Sequence, residues 1–148
     1  MRKLLITLII AMAVACQSDR EPIQRTYLGV TLGKTTMAEA KEALAGYELD
    51  ATTYEGVQVL GVMNPTISGI KYQGVGFFFG SGVTDSICFL ADAQQLEPIK
   101  RMLAGDPVKS VRSGCDTYTW QDDSTEAQLT DIDDIESYVR LIIRNINL

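Results

Sequence analysis

The chain predicts an α+β fold: two short helices packed on one face of an antiparallel β-sheet. Three observations carry this. Two segments, near 36–45 and 93–104, place apolar residues at helical spacing and stop at a glycine. Runs with the two-residue period of a strand follow each of them. The two helical segments also align with each other, MAEAKEALAG (37–46) on LEPIKRMLAG (96–105), which suggests an α–β–β unit used in tandem.

The N-terminus comes first in order. Arg2 and Lys3 precede a run from Leu4 to Ala15 in which Thr7 is the one polar residue. A spanning helix needs about 20 apolar residues, so this run is too short to cross a bilayer. A charged start, a short apolar stretch and small residues at its end describe a secretory signal, residues 1–15. Ala13-Val14-Ala15-Cys16 resembles the lipobox of bacterial lipoproteins. The resemblance implies cleavage before Cys16 and lipid attachment to its thiol. The family prefers Leu where this chain has Ala13, and Ala13-Val14-Ala15 also fits an ordinary A-x-A signal cleavage site. Two or three acyl chains would hold a protein at a membrane, at about 0.8 kcal/mol per buried methylene. Residues 16–25 then read as a lipidated polar tether. Gln17 stands where Asp would retain many Gram-negative lipoproteins at the inner membrane, so the resemblance implies the outer membrane. Asp19 and Glu21 are loosely similar to acidic surface-export tags.

Residues 26–148 form a single domain on this reading. Tyr27–Leu32 alternates as a short strand. Thr36 with Glu39 makes a capping box, Met37, Ala40 and Leu44 recur at helical spacing, and Gly46 stops the helix. Strand patterns follow at 57–63, 68–80 (with a bend at Gly74) and 85–92. In the middle one Val75, Phe77 and Phe79 share a face, while Gly74, Gly76, Phe78 and Gly80 take the other, with Tyr72. A glycine face admits helix packing or a bulge, or it lines a ligand groove. Pro98 sets the second helix to begin near Glu97. Strands at 116–122 and 137–148 close the domain, with an acidic loop at 122–136 between them. In the last strand Val139, Leu141 and Ile143 face the core; Arg140, Ile142 and Arg144 face out.

Composition limits the chemistry. Loss of Arg2 and Lys3 with the signal takes the formal charge from −6 to −8. That argues against nucleic acid and anionic lipid as partners, since both need a positive footprint. The chain has no histidine, which removes Ser-His and Cys-His nucleophile pairs and the commonest transition-metal ligand. No catalytic residue, cofactor or metal is assigned. Asp131, Asp133 and Asp134 lack the glycine and the terminal acid of a calcium loop. Asp122 and Asp123, as neighbours on a strand, point apart. Lys34-Thr35-Thr36 after Gly33 lacks the upstream glycine of a phosphate loop, and capping explains it. Tyr118 and Trp120 share a strand face, as sheet packing or as a sugar platform. Cys88 and Cys115 are a candidate disulfide or two buried thiols.

Gly29-Val30-Thr31-Leu32-Gly33-Lys34-Thr35-Thr36 and Tyr118-Thr119-Trp120 resemble motifs of the β-lactamase-inhibitor-protein-like and small outer-membrane-assembly lipoprotein folds. That resemblance implies helices on one face of a curved sheet whose other face or loops hold a protein. The expectation is a membrane-anchored, non-catalytic module for an unidentified envelope protein, with Arg140, Ile142 and Arg144 as its candidate interaction face. The alternative is a carrier of a small hydrophobic ligand between the Gly/Phe strand and a helix.

Overall fold

The computed structural model describes residues 22–132 and 137–148. The signal segment, Cys16, Gln17, Asp19, Glu21, and Asp133, Asp134 and Glu136 lie outside the described residues. The elements run β1 (Thr26–Tyr27), β2 (Val30–Thr31), α1 (Met37–Ala43), β3 (Leu49–Tyr54), β4 (Val57–Met63), β5 (Thr66–Ile67), β6 (Ile70–Lys71), β7 (Gly74–Phe79) and β8 (Ser86–Asp92). A single 3-10 turn (Ala93–Gln95) leads into α2 (Leu96–Met102), then β9 (Val108–Arg112), β10 (Cys115–Gln121), β11 (Thr125–Ile132) and β12 (Tyr138–Asn145).

The expected α+β class is overturned. Strand makes up 52% of the structure and helix 14%. One eight-stranded antiparallel sheet, in the order β3-β4-β7-β8-β12-β11-β10-β9, dominates a β-rich fold. The expected α–β–β unit is likewise replaced. Each helix is followed by four strands of the large sheet, and the first set is interrupted by the small hairpin β5–β6. Three of the eight strands escaped the sequence reading. β3 and β9 are edge strands of mostly exposed polar residues, so they lack a buried alternation. β11 alternates well, with Thr125, Ala127 and Leu129 buried, but small and hydroxylated residues carry the pattern and the segment read as an acidic loop.

The helices are seven residues each, too short to form a layer of their own. Thr36 does cap α1: its hydroxyl accepts from the Glu39 N–H at 3.3 Å, and its own N–H donates to the Glu39 carboxylate at 2.9 Å. Within the helices only Ala40 and Ile99 are buried, joined by Leu44 and Leu103 just beyond their ends. The sheet supplies far more. Leu60 and Val62, Val75 and Phe77, Ile87 and Phe89, Leu129, Leu141 and Ile143 are all buried on one face. At about 1.5–3 kcal/mol for each large side chain, sheet burial outweighs helix burial severalfold. The hairpin β1–β2 adds Tyr27, whose ring meets Phe89 edge-on at 4.9 Å while its hydroxyl has no partner among the described residues.

Tight hairpins set the strand order. Leu28-Gly29, Glu55-Gly56, Ser68-Gly69 and Ser113-Gly114 are two-residue turns with both residues at positive φ, the geometry that matches strand twist. The packed domain also begins earlier than the tether reading placed it. Ile23 is buried, and its N–H donates to Asp122 Oδ2 at 2.8 Å. Asp122 Oδ1 accepts from Ser124 N–H at 2.9 Å and Thr125 N–H at 2.7 Å, closing the β10–β11 turn. The supposed carboxylate pair therefore sits in a turn, with Asp122 as a structural anchor.

Partial burial pushes the Asp122 carboxyl upward, but those three amides and the nearby Arg25 outweigh it and hold it below the ordinary value. Its ionised form is thus favoured by folding. The stability this contributes is complete above the unfolded value of roughly 4 and is lost as pH falls through the folded one. Asp122→Ala should cost about 1–2 kcal/mol in urea unfolding at pH 7. The cost should shrink below pH 4; an equal cost at pH 7 and pH 3 would show that ionisation of Asp122 does not matter.

Candidate functional site

The main core cluster, with the buried side chains of α1 and α2, lies on one side of the large sheet; Val59 alone among the buried hydrophobics of the described strands lies on the other. Its other face is built in rows by strand register. One row reads Thr52, Val59, Phe78, Ser86, Arg144, Glu126, Gln121. The next reads Asp50, Gly61, Gly76, Cys88, Ile142, Gln128, Thr119, and a third runs Met63, Gly74, Leu90, Arg140, Thr130, Thr117. The face is therefore divided. On β4, β7 and β8 it is largely apolar, with Val59 buried and Phe78, Ser86, Cys88 and Leu90 half-buried around three glycines. On β10 and β11 it is hydroxyl and amide. β12 is the seam and carries Arg140, Ile142 and Arg144.

Arg140 and Arg144 are exposed and Ile142 half-buried between them. Arg144 forms an ion pair with Glu126, whose Oε1 also accepts from Gln128 Nε2 at 3.0 Å. Exposed pairs of this kind are worth about 0–1 kcal/mol, so this one orients Arg144 more than it stabilises the sheet. Glu126 and Leu90 escaped the sequence reading of this face, and Phe78 was read beside the glycines but not as part of the interaction patch. Phe78 and Leu90 had a signal in the period-2 pattern of β7 and β8; Glu126 had none until β11 was recognised as a strand.

Gly61 and Gly74 have no local explanation, whereas Gly76 lies against the Phe78 ring and Val59. Gly61, Gly74 and Gly76 have no positive φ, and a Cβ on each would meet its nearest neighbour at 3.5, 3.6 and 3.4 Å, ordinary contact distances. Glycine inside a strand costs roughly 0.5–1 kcal/mol against alanine. The fold itself could accept alanine at all three. Neither helix packing nor a bulge accounts for them: both helices pack on the opposite side, and β4, β7 and β8 pair without interruption. For the same reason these glycines do not line a cleft between the Gly/Phe strand and a helix.

The remaining candidates fall elsewhere. Tyr118 and Trp120 lie on the core side; the Trp120 indole N–H donates to the Gly105 carbonyl at 3.1 Å, and Lys100 Nζ sits 4.3 Å from the Tyr118 ring centre. Lys34, Thr35 and Thr36 form the turn into α1, where the Thr35 hydroxyl accepts from Thr31 N–H at 2.8 Å. Among the described residues, no three or more of Cys, Asp and Glu gather as a metal site. Cys88 and Cys115 are free thiols. β12 and β11 separate their strands, and Cys115 lies four residues along β10 from Thr119, the residue in register with Cys88, so the two are roughly 20 Å apart, beyond disulfide reach. Burial pushes the Cys88 thiol up, and Arg140 only partly offsets this. The thiol is thus protonated at neutral pH and a poor nucleophile.

No protein-family model, curated protein or solved structure matches this chain.

Denatured without reductant, the protein should take up maleimide at both Cys88 and Cys115. Intact mass measurement checks this, and an unlabelled pair two mass units light would reveal a bond.

Proposed function

We propose that this chain is a lipid-anchored envelope protein of the outer membrane of a Gram-negative cell, acting without catalysis. It holds a protein partner against the open face of its sheet, with Arg140, Ile142 and Arg144 at the centre of contact. One observation carries the reading: on β4, β7 and β8 that face is largely apolar, with Val59, Phe78, Cys88 and Leu90 set among glycines and no described element over it. Half-buried Phe78, Leu90 and Ile142 offer desolvation, and the flanking arginines offer directional hydrogen bonds. Gly61 and Gly74 let a partner's side chains rest on backbone. The lipobox-like Ala13-Val14-Ala15-Cys16 supports the anchor, and the absence of histidine weighs against hydrolytic chemistry.

A photo-crosslinking residue at Ile142 should give one discrete adduct in cells, whereas the same residue at exposed Glu42 on α1 should not. Gly61→Ala with Gly74→Ala should abolish that adduct while leaving the melting temperature equal or higher. No adduct from 140, 142 or 144 would overturn the reading. Separately, Cys16→Ala should move the protein from the membrane to the soluble fraction, with loss of the acyl mass. An unmodified wild-type Cys16 would refute the anchor.

A further inference from the structure

We propose that the two edges of the sheet are complementary halves of a self-assembly contact, β9 of one copy pairing with β3 of the next. Among the described residues no strand pairs with the outer side of either. Three of the most exposed large apolar side chains lie on these two strands: Tyr54 at 62%, Val108 at 72% and Val111 at 67%. A long exposed edge invites pairing, and proteins usually blunt it with charge. Here the charges are of opposite sign. β9 carries Lys109 and Arg112, whereas β3 carries Asp50 and is flanked by Glu48 and Glu55. β9 against β9, or β3 against β3, would bring like charges together; β9 against β3 brings opposite ones.

Direction and register agree. Every neighbouring pair in the large sheet is antiparallel, so across eight strands β3 and β9 run in opposite senses. A second copy added in line continues the alternation. Each edge hairpin closes on a two-residue turn, Glu55-Gly56 or Ser113-Gly114, so the flanking pairs Tyr54 with Val57 and Arg112 with Cys115 are hydrogen-bonded inward. The backbone groups of Ala51 and Thr53 on one edge, and of Lys109 and Val111 on the other, then point outward. Pairing Ala51 with Val111 and Thr53 with Lys109 sets Asp50 opposite Arg112, Thr52 opposite Ser110 and Tyr54 opposite Val108. The open face of one copy thereby continues into that of the next. Strands of five and six residues form few ladder bonds, so the association is weak and concentration-dependent. A head-to-tail contact of this kind closes a ring or extends as a filament.

The test uses two differently tagged full-length chains in detergent, Thr52→Cys in one and Ser110→Cys in the other. These positions form a non-hydrogen-bonded pair about 4.5 Å apart between Cα atoms, within disulfide range. Mild oxidation of the mixture should give a 52–110 adduct at least tenfold above either chain alone, where the native thiols set the background. Asp50→Arg or Arg112→Asp should each weaken the adduct about tenfold, and mixing the two reversals, so that they face each other, should restore it. Trp120 fluorescence checks that every variant is folded. A mixed adduct no stronger than the controls overturns the proposal. So do 52–52 or 110–110 adducts in excess of it, and so does a chain that stays monomeric while its β9 accepts an unrelated extended peptide. The contact lies on the edges, so its failure leaves the open-face reading standing.

Discussion

The ladder between β8 and β12 is the constraint on which the rest of the molecule depends. β8 ends the first set of four strands and β12 ends the second, and their pairing over Ser86–Asp92 and Tyr138–Arg144 makes two meanders into one sheet. It is the longest-range strand pairing in the large sheet, and it closes with the last strand of the chain. Loop-closure entropy must therefore be overcome for it to form. The alternation on β12 selects the register. A slip by one residue would carry Val139, Leu141 and Ile143 out of the core and bury Arg140 and Arg144 in their place.

From that register follows the division of labour between faces. Ile87 and Phe89 of β8 meet Ile143 and Leu141 across the seam, and the neighbouring strands add Phe77, Val75 and Leu129 to the same layer. The short helices and small hairpins roof this layer without forming a second one. The same pairing sets Cys88 beside Ile142 and Leu90 beside Arg140 on the opposite side. Apolar surface is thus left uncovered by the described residues not by a failure of packing but because their helices and small hairpins all lie on one side. Glycines at 61, 74 and 76 extend that surface where the backbone makes no demand for them.

Legibility followed burial. Val57–Met63, Ser86–Asp92 and the outline of Tyr138–Asn145 were readable because one side of each strand is buried and alternates strongly. The capping box at Thr36 and Glu39 was readable because it is local. β3 and β9 were not, since an edge strand owes its shape to backbone bonds with one neighbour rather than to its own side chains. β11 was hidden because threonine and alanine bury well against Ile143 and Leu141 without looking like core residues. Missing those three strands turned a β-rich molecule into an α+β expectation with two helices as a layer. The disulfide question turned on strand order, which spacing along the chain does not encode.

By itself the sequence determined what is local. It set the two helix sites, the strand faces that alternate, the apolar start ending at Cys16, and the chemistries that a chain without histidine lacks. It did not set the stop of the first helix: α1 ends at Ala43 with Leu44 as its cap, and Gly46 takes no positive φ. The tertiary structure alone decided which strands are neighbours, that Cys88 and Cys115 stand apart, that Arg144 finds Glu126, and that three half-buried glycines from two strands share one strip of the open face. The physical reason is the same in each case. Side-chain period is a property of a few consecutive residues, whereas a face is assembled by hydrogen bonds between segments far apart in the chain.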